Sequence, residues 1–120
     1  MTKIVQKICF FAVLILSVNL YATDVMKDVI AAPVPFNPHT HILKIMNLPI
    51  DYNLFTLEVY DIAGARVVSK SYTVYSQVNW NGRNSFGKIV KPGMYILKIT
   101  AKETSTDRYG MKKIRILVKH

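Results

Sequence analysis

The chain has 120 residues, of which 51% are hydrophobic and 19% charged, with one cysteine. That length accommodates one domain, and the apolar content excludes a disordered basic tail. The 16 Lys and Arg residues outnumber the 7 Asp and Glu residues, giving a formal charge of +9. By itself, such a charge is compatible with nucleic acid or an anionic surface as a partner.

The first 22 residues have the layout of a secretory signal peptide. Lys3 and Lys7 form a basic start before an apolar run over residues 8–16, and Ala22 occupies a position suited to cleavage. The run is shorter than the roughly 20 apolar residues that a transmembrane helix needs. We therefore expect export and cleavage after Ala22, with an uncleaved anchor helix as the alternative. Cleavage removes Cys9 and both lysines, so the charge falls by two to +7, and export excludes nucleic acid as a partner.

Hydrophobic alternation beyond residue 32 predicts an all-β domain. Residues 23–32 have mixed charges and no clear period, so we expect a flexible lead there. Three prolines within residues 33–38 restrict that stretch to an edge strand or an extended lead-in, which Phe36 would anchor in the core. Two-residue alternation predicts strands within residues 41–48, 54–60, 66–71, 72–80, 88–90, 94–101 and 113–118.

The predicted turns repeat one kind of chemistry. Residues 61–64 and 84–87 each begin with a side chain that can accept backbone N–H bonds, and each ends with glycine. Asn81-Gly82 and Pro92-Gly93 provide two further tight turns. About seven short strands with turns roughly every ten residues predict an immunoglobulin-like antiparallel β-sandwich over residues 33–120. Its largest buried side chain would be Trp80.

Four ordered blocks of the sequence resemble the FlgD-type immunoglobulin-like domain. These are residues 35–40, 57–68, 80–87 and 93–95, so the resemblance covers the chain from about residue 33 onward. That domain closes the flagellar hook-capping protein and many large exported bacterial proteins. This chain departs from the pattern with Asn81 and Asn84 in place of Asp, and with Ala65 after Gly64. The residues of the shared structural motif are Phe36, Asn37, Pro38, Tyr60, Asp61, Gly64, Trp80, Gly82, Gly87, Gly93 and Tyr95.

The chain is also similar to the C-terminal sorting domains of type IX secretion. These share the proline-rich lead, the hairpin at residues 59–64, the Gly-x-Tyr strand and a basic, hydrophobic last strand. Most of them lack the block at residues 80–83, which favours the FlgD-type resemblance. Such domains normally follow a larger passenger, whereas here we expect the sandwich to follow a signal peptide directly, and hook capping is not implied.

The sequence does not indicate catalysis, a cofactor or a metal site. Serines and threonines are scattered, and no nucleophile has a base nearby in sequence. His39 and His41 have the spacing of one strand face, but a third ligand is missing. Asn79, Asn81 and Asn84 could offer oxygens to calcium, yet without carboxylates we interpret them as turn residues.

Basic side chains concentrate on the last two predicted strands. On neighbouring strands they would form a positive stripe, which either discourages strand pairing at an edge or binds an anionic envelope polymer or lipid head group. We expect an interaction surface made of Arg83, Lys98, Lys112, Lys113, Arg115 and Lys119.

The leading hypothesis is a non-catalytic exported module with a structural, adhesive or protein-interaction role at the bacterial cell envelope. Its partner would be a protein or an anionic envelope polymer, and its location periplasmic, cell-surface or secreted. The first alternative is a sorting domain recognised by a secretion system. The second is a binder of anionic polymer that acts through its basic strand. The oligomeric state stays open.

Overall fold

Two antiparallel β-sheets make up the computed structural model, which describes residues 25–120. The predicted all-β sandwich of about seven strands is confirmed, while the predicted signal peptide lies outside the described residues. The strands are β1 (Ile30–Ala32), β2 (Leu43–Met46), β3 (Leu54–Asp61), β4 (Arg66–Tyr72), β5 (Asn79–Trp80), β6 (Gly93–Glu103) and β7 (Arg108–Val118). A 3-10 turn at Tyr75–Gln77 precedes β5. Within this part of the chain, no helix has the length and apolarity to cross a bilayer.

The larger sheet has the strand order β4-β3-β6-β7, and the smaller sheet has the order β1-β2-β5. Strands β6 and β7 form a hairpin whose register runs without a shift from Gly93 opposite Val118 to Glu103 opposite Arg108. The β3–β4 pair has one irregularity, between Val59 and Tyr60. Strands β4 and β7 are therefore the two edges of the larger sheet.

The core lies between the sheets because alternate side chains of each strand leave water on the same side. In β3 and β6 these are fully buried residues such as Leu57 and Leu97. Trp80 from the smaller sheet is also fully buried and is the largest such side chain, as predicted. Phe36 is buried too and forms a parallel bridge with Val118, which confirms the predicted anchoring of the proline-rich lead-in.

Residues 25–32 differ from the flexible lead that we expected over residues 23–32. Met26 and Val29 are buried, and β1 pairs with β2. Gly110 on β7 makes room for this segment, since a Cβ built there would lie 2.8 Å from side-chain atoms of Val25 and Met26. The charged side chain of Lys27 faces solvent. The charged residues of the segment suggested an exposed lead, although Met26 and Val29, three residues apart, are apolar and buried.

Two other predicted strands are shorter in the structure. The series over residues 72–80 is divided by the 3-10 turn, so that Tyr72 ends β4 and only Asn79–Trp80 form a strand after the turn. The stretch at residues 88–90 contributes one isolated bridge, between Ile89 and Arg83. Both stretches are too short or too interrupted to sustain a ladder of backbone hydrogen bonds.

Candidate interaction surface

The repeated turn chemistry is present at both predicted places. Asp61 Oδ1 accepts a hydrogen bond from the Ala65 N–H at 2.9 Å. Asn84 Oδ1 accepts from the N–H groups of Phe86 and Lys88, each at 3.0 Å. The glycines that end the turns have positive φ, 90° at Gly64 and 80° at Gly87. These acidic and amide side chains therefore hold loops in place.

The other motif residues pack between the two sheets or shape the turns and strand ends beside them. The Trp80 ring lies 5.7 Å from that of Phe36 and 5.9 Å from that of Tyr95, measured between centroids. The Tyr95 hydroxyl donates to the Lys91 carbonyl at 2.7 Å, and burial raises the pKa of this hydroxyl. Asn37 forms a turn by accepting the His39 N–H at 2.9 Å. Gly93 begins β6, and Pro38 and Gly82 touch each other beside Phe36.

Three of the predicted basic residues share the outer face of the larger sheet. Lys98 on β6 lies directly opposite Lys113 on β7, and Arg115 follows two positions further along β7. Residues two apart in a strand point to the same side, so Lys113 and Arg115 project together. We call Lys98, Lys113 and Arg115 the basic face.

The remaining three predicted residues lie elsewhere. Lys112 points to the opposite side of β7, where its Nζ donates to the Lys27 carbonyl at 2.7 Å. Arg83 lies in the loop beside β4, across the sheet, and its Nη1 donates to the Gly87 carbonyl at 2.8 Å. Lys119 follows β7, and its N–H donates to the Phe36 carbonyl at 2.9 Å. The predicted set is thus divided into the basic face and three separate positions.

Glu58 on β3 partly neutralises one side of the basic face. Its carboxylate lies 3.9 Å from Lys98 Nζ and 3.5 Å from Arg66 Nη1. The Tyr60 hydroxyl donates to the same carboxylate at 2.9 Å, and this hydrogen bond raises the pKa of Tyr60, with desolvation adding to the shift. Among residues 25–120, Lys113 forms no ion pair, nor does Arg115. The sequence signal for this contact is the outward position of Glu58 in a strand that alternates, which indicates a cation on a neighbouring strand.

The backbone of β7 presents a row of hydrogen-bonding groups beside the basic face. Phe36 N–H donates to the Leu117 carbonyl at 2.8 Å, so the backbone of Leu117 points away from β6. Because the β6–β7 register has no shift, every second residue before Leu117 also points outward. These residues are Tyr109, Met111, Lys113 and Arg115, whose outward N–H and C=O groups have no backbone partner within residues 25–120. We call this row the β7 edge.

The histidines and asparagines that we considered as metal ligands have other contacts. The His39 ring packs edge-on against His120, with centroids 4.7 Å apart, and His41 Nδ1 lies 2.7 Å from the Thr40 hydroxyl. Asn81 Oδ1 accepts the Arg83 N–H at 3.1 Å. Within the described part of the chain, His, Cys, Asp and Glu side chains nowhere form a group of three that could hold a metal. That the protein needs no metal stays a prediction.

Comparison with known proteins identifies a family and a fold. The family model described as "Secretion system C-terminal sorting domain" matches residues 35–114, which is more than half of the chain. No curated protein matches the sequence. The crystal structure of dimeric latent PorU from Porphyromonas gingivalis is similar, with a TM-score of 0.52 and 20% identity over 76% of this chain. The match covers 9% of the PorU chain, so it shows a shared fold for a small part of that protein.

Proposed function

The chain belongs to the family of secretion system C-terminal sorting domains, and we propose that its β-sandwich is a sorting module read by a type IX secretion system. Membership in this family places the protein among exported proteins, as the signal-peptide prediction also does. Of the two resemblances, the one to sorting domains is confirmed, whereas the FlgD-type assignment stays a prediction. The sorting role was the alternative in our sequence reasoning, and it is now the better supported function.

The family match over residues 35–114 is the observation that carries this proposal. That interval contains the Phe36 anchor, all of β2 to β6 and part of β7, so it covers most of the folded unit but not β1 or the end of β7. A folded sandwich presents strand edges and outward side chains to a partner. We infer that a secretion apparatus recognises those surfaces.

We also propose that the module is non-catalytic and uses no cofactor. The side chains with acid or base chemistry are largely engaged in holding the fold. Asp61 holds a turn, Glu58 lies between two cations, and Glu103 pairs with Arg108. A general acid or base needs a substrate within hydrogen-bond reach, and these carboxylates are already occupied by protein groups.

A reporter fusion tests the sorting role. Residues 23–120 are fused to the C-terminus of a periplasmic reporter enzyme in a bacterium that has a type IX system. We expect reporter activity on the cell surface or in the medium. An isogenic strain without the outer-membrane translocon should retain the reporter in the periplasm. Retention of an intact, folded fusion in both strains would contradict the proposal.

A structural or adhesive module is the second candidate, and an apolar surface favours it. Ile30, Ile42 and Met46 on and beside the smaller sheet are 47%, 51% and 38% exposed. Clustered exposed apolar side chains often mark contacts with other proteins. Cell fractionation with mass measurement of the mature chain separates the candidates. An intact sandwich retained on the envelope favours the module, whereas trimming within the sandwich favours sorting.

A further inference from the structure

The β7 edge is suited to pairing with another strand. Four outward residues, from Tyr109 to Arg115, present both N–H donors and C=O acceptors at a two-residue spacing. The opposite edge is less open, because the Val67 carbonyl on β4 accepts the Ser85 N–H at 3.1 Å. Exposed edges of this kind bind extended peptides by strand addition.

The side chains along this edge define what kind of strand would bind. Tyr109 and Met111 are 57% and 42% exposed, and Lys113 and Arg115 are exposed beyond them. Strand β7 contains four cationic residues and no acidic one. Since Glu58 lies on the far side of Lys98, it leaves the charges of Lys113 and Arg115 without a carboxylate partner in the described part of the chain.

We propose that the β7 edge binds an extended acidic segment of a partner protein as an additional strand of the larger sheet. Acidic side chains of that segment would lie beside Lys113 and Arg115, where opposite charges on neighbouring strands stabilise pairing. The proposal deepens the sorting function and rests on it for the biological role of the partner. The binding itself is measured without reference to export.

Charge also selects against a second copy of this chain. Two β7 strands paired edge to edge would bring lysine and arginine side chains together, and like charges opposite each other destabilise a sheet. The same residues that repel an identical strand attract an acidic one. The β7 edge therefore attracts one kind of strand and repels another, and specific interfaces discriminate between partners by this combination.

The backbone favours a peptide over an anionic polymer. A sulfated or phosphorylated polymer offers acceptors to the outward N–H groups and cations, but it offers few donors to the outward C=O groups. A peptide strand offers donors and acceptors in alternation and satisfies both. Strand addition thus accounts for the whole row of backbone groups at the β7 edge.

The test uses the protein in the form that its host exports. The probe is a fluorescent, end-blocked ten-residue peptide of alternating Glu and Thr, and binding is followed by fluorescence anisotropy. We expect saturable binding that weakens roughly tenfold in the double variant Lys113→Glu, Arg115→Glu. The control Lys88→Glu, Lys91→Glu makes the same change of charge on exposed residues that line a surface cavity with Arg66 and Val67 of β4, the other edge strand of the larger sheet, and should bind like the parent.

N-methylated peptides separate strand addition from charge attraction. Methylation of every second amide removes donors along one edge of the peptide strand. We expect one of the two alternating sets to abolish binding and the other to leave it intact. Equal binding of both methylated peptides, with dextran sulfate competing as well as the parent peptide, would identify a polyanion site and overturn the proposal.

Two further outcomes would also overturn it. One is the absence of peptide binding to the folded protein. The other is a mass that doubles with concentration and is restored to the monomer by the Lys113→Glu, Arg115→Glu variant, which would identify a second copy as the occupant. If the peptide binds but the reporter fusion is not exported, the sorting role fails alone. If the fusion is exported but no peptide binds, only the edge proposal fails.

Discussion

At the scale of single residues, Gly82 shows how closely the lead-in and the Trp80 loop approach. Its φ is +76°, and a Cβ built there would lie 2.3 Å from Pro38 Cβ and 3.2 Å from the Phe36 ring. Any side chain at this position meets both the cost of a left-handed backbone and a steric clash with a rigid ring. The glycine is therefore needed for the contact between the two segments.

We predict that Gly82→Ala lowers the free energy of unfolding by about 2–5 kcal/mol. A left-handed backbone costs an alanine about 1–2 kcal/mol, and overpacking adds about 1–3 kcal/mol. Gly64→Ala is the matched control, since Gly64 has a φ of +90° but nothing within 4 Å of its Cβ position. Urea unfolding measures both variants, and equal losses would show that the contact with Pro38 has no energetic weight.

At the scale of elements, the turn end of the β6–β7 hairpin is held by a cluster of charges. Arg108 at the start of β7 donates to Glu103 at the end of β6 and, at 2.9 Å, to Asp51 in the loop between β2 and β3. Its guanidinium also lies 5.0 Å from the centre of the Tyr52 ring. The hydrogen bond from Arg108, together with one from Ser105, lowers the pKa of Glu103.

This cluster predicts a pH dependence of stability. A carboxyl group whose pKa is lower in the folded state stabilises the fold above its unfolded pKa of about 4.3. That contribution is lost as the pH falls through the folded value. We expect the urea midpoint to decrease on acidification from pH 7 to pH 3, and less steeply in Glu103→Gln. Asp107→Asn, at an 87% exposed side chain in the same turn, should keep the parent's curve. Parallel curves for Glu103→Gln and the parent would contradict the prediction.

The elements that could be predicted from sequence are those whose pattern is local. Strands β3, β6 and β7 alternate over seven or more residues, and the turns at Asp61 and Asn84 depend on side chains that bond to their own loop. The segment around Met26 and Val29 could not be predicted, since its burial depends on the space left by Gly110, about 80 residues away. Strand alternation and turns depend on residues that are close in sequence, whereas the burial of Met26 and Val29 depends on contacts that exist only in the tertiary structure.

The composition of the candidate surface could be predicted from the sequence, but the arrangement of its residues in space could be predicted only in part. The sequence indicated a basic last strand, and alternation alone separates Lys113 from Lys112 onto opposite faces. The position of Arg83 across the sheet depends on the course of a long loop, which no periodicity records. Within residues 25–120, the β7 edge is free because β7 is the last strand of the larger sheet. Strand order is a property of the tertiary structure, and the alternation of residues within β7 does not predict it.

At the scale of the whole molecule, Trp80 packs at the centre of the sandwich and connects its parts. It belongs to the smaller sheet, contacts Phe36 of the lead-in and Tyr95 of the larger sheet, and is fully buried. Its indole N–H donates to the Arg83 carbonyl at 2.9 Å, which also fixes the loop that follows. One side chain thus connects both layers, the lead-in and a loop.

We predict that Trp80→Ala lowers the free energy of unfolding by about 3–5 kcal/mol, a large share of the roughly 5–15 kcal/mol typical of a domain. Phe86→Ala is the matched control, because the Phe86 side chain is 86% exposed and should cost little. In the reporter fusion, a sorting module read as a folded surface should lose export with Trp80→Ala and retain it with Phe86→Ala. Export that persists when urea or protease assays show the Trp80→Ala module unfolded would mean that the secretion system reads a linear segment instead of the sandwich.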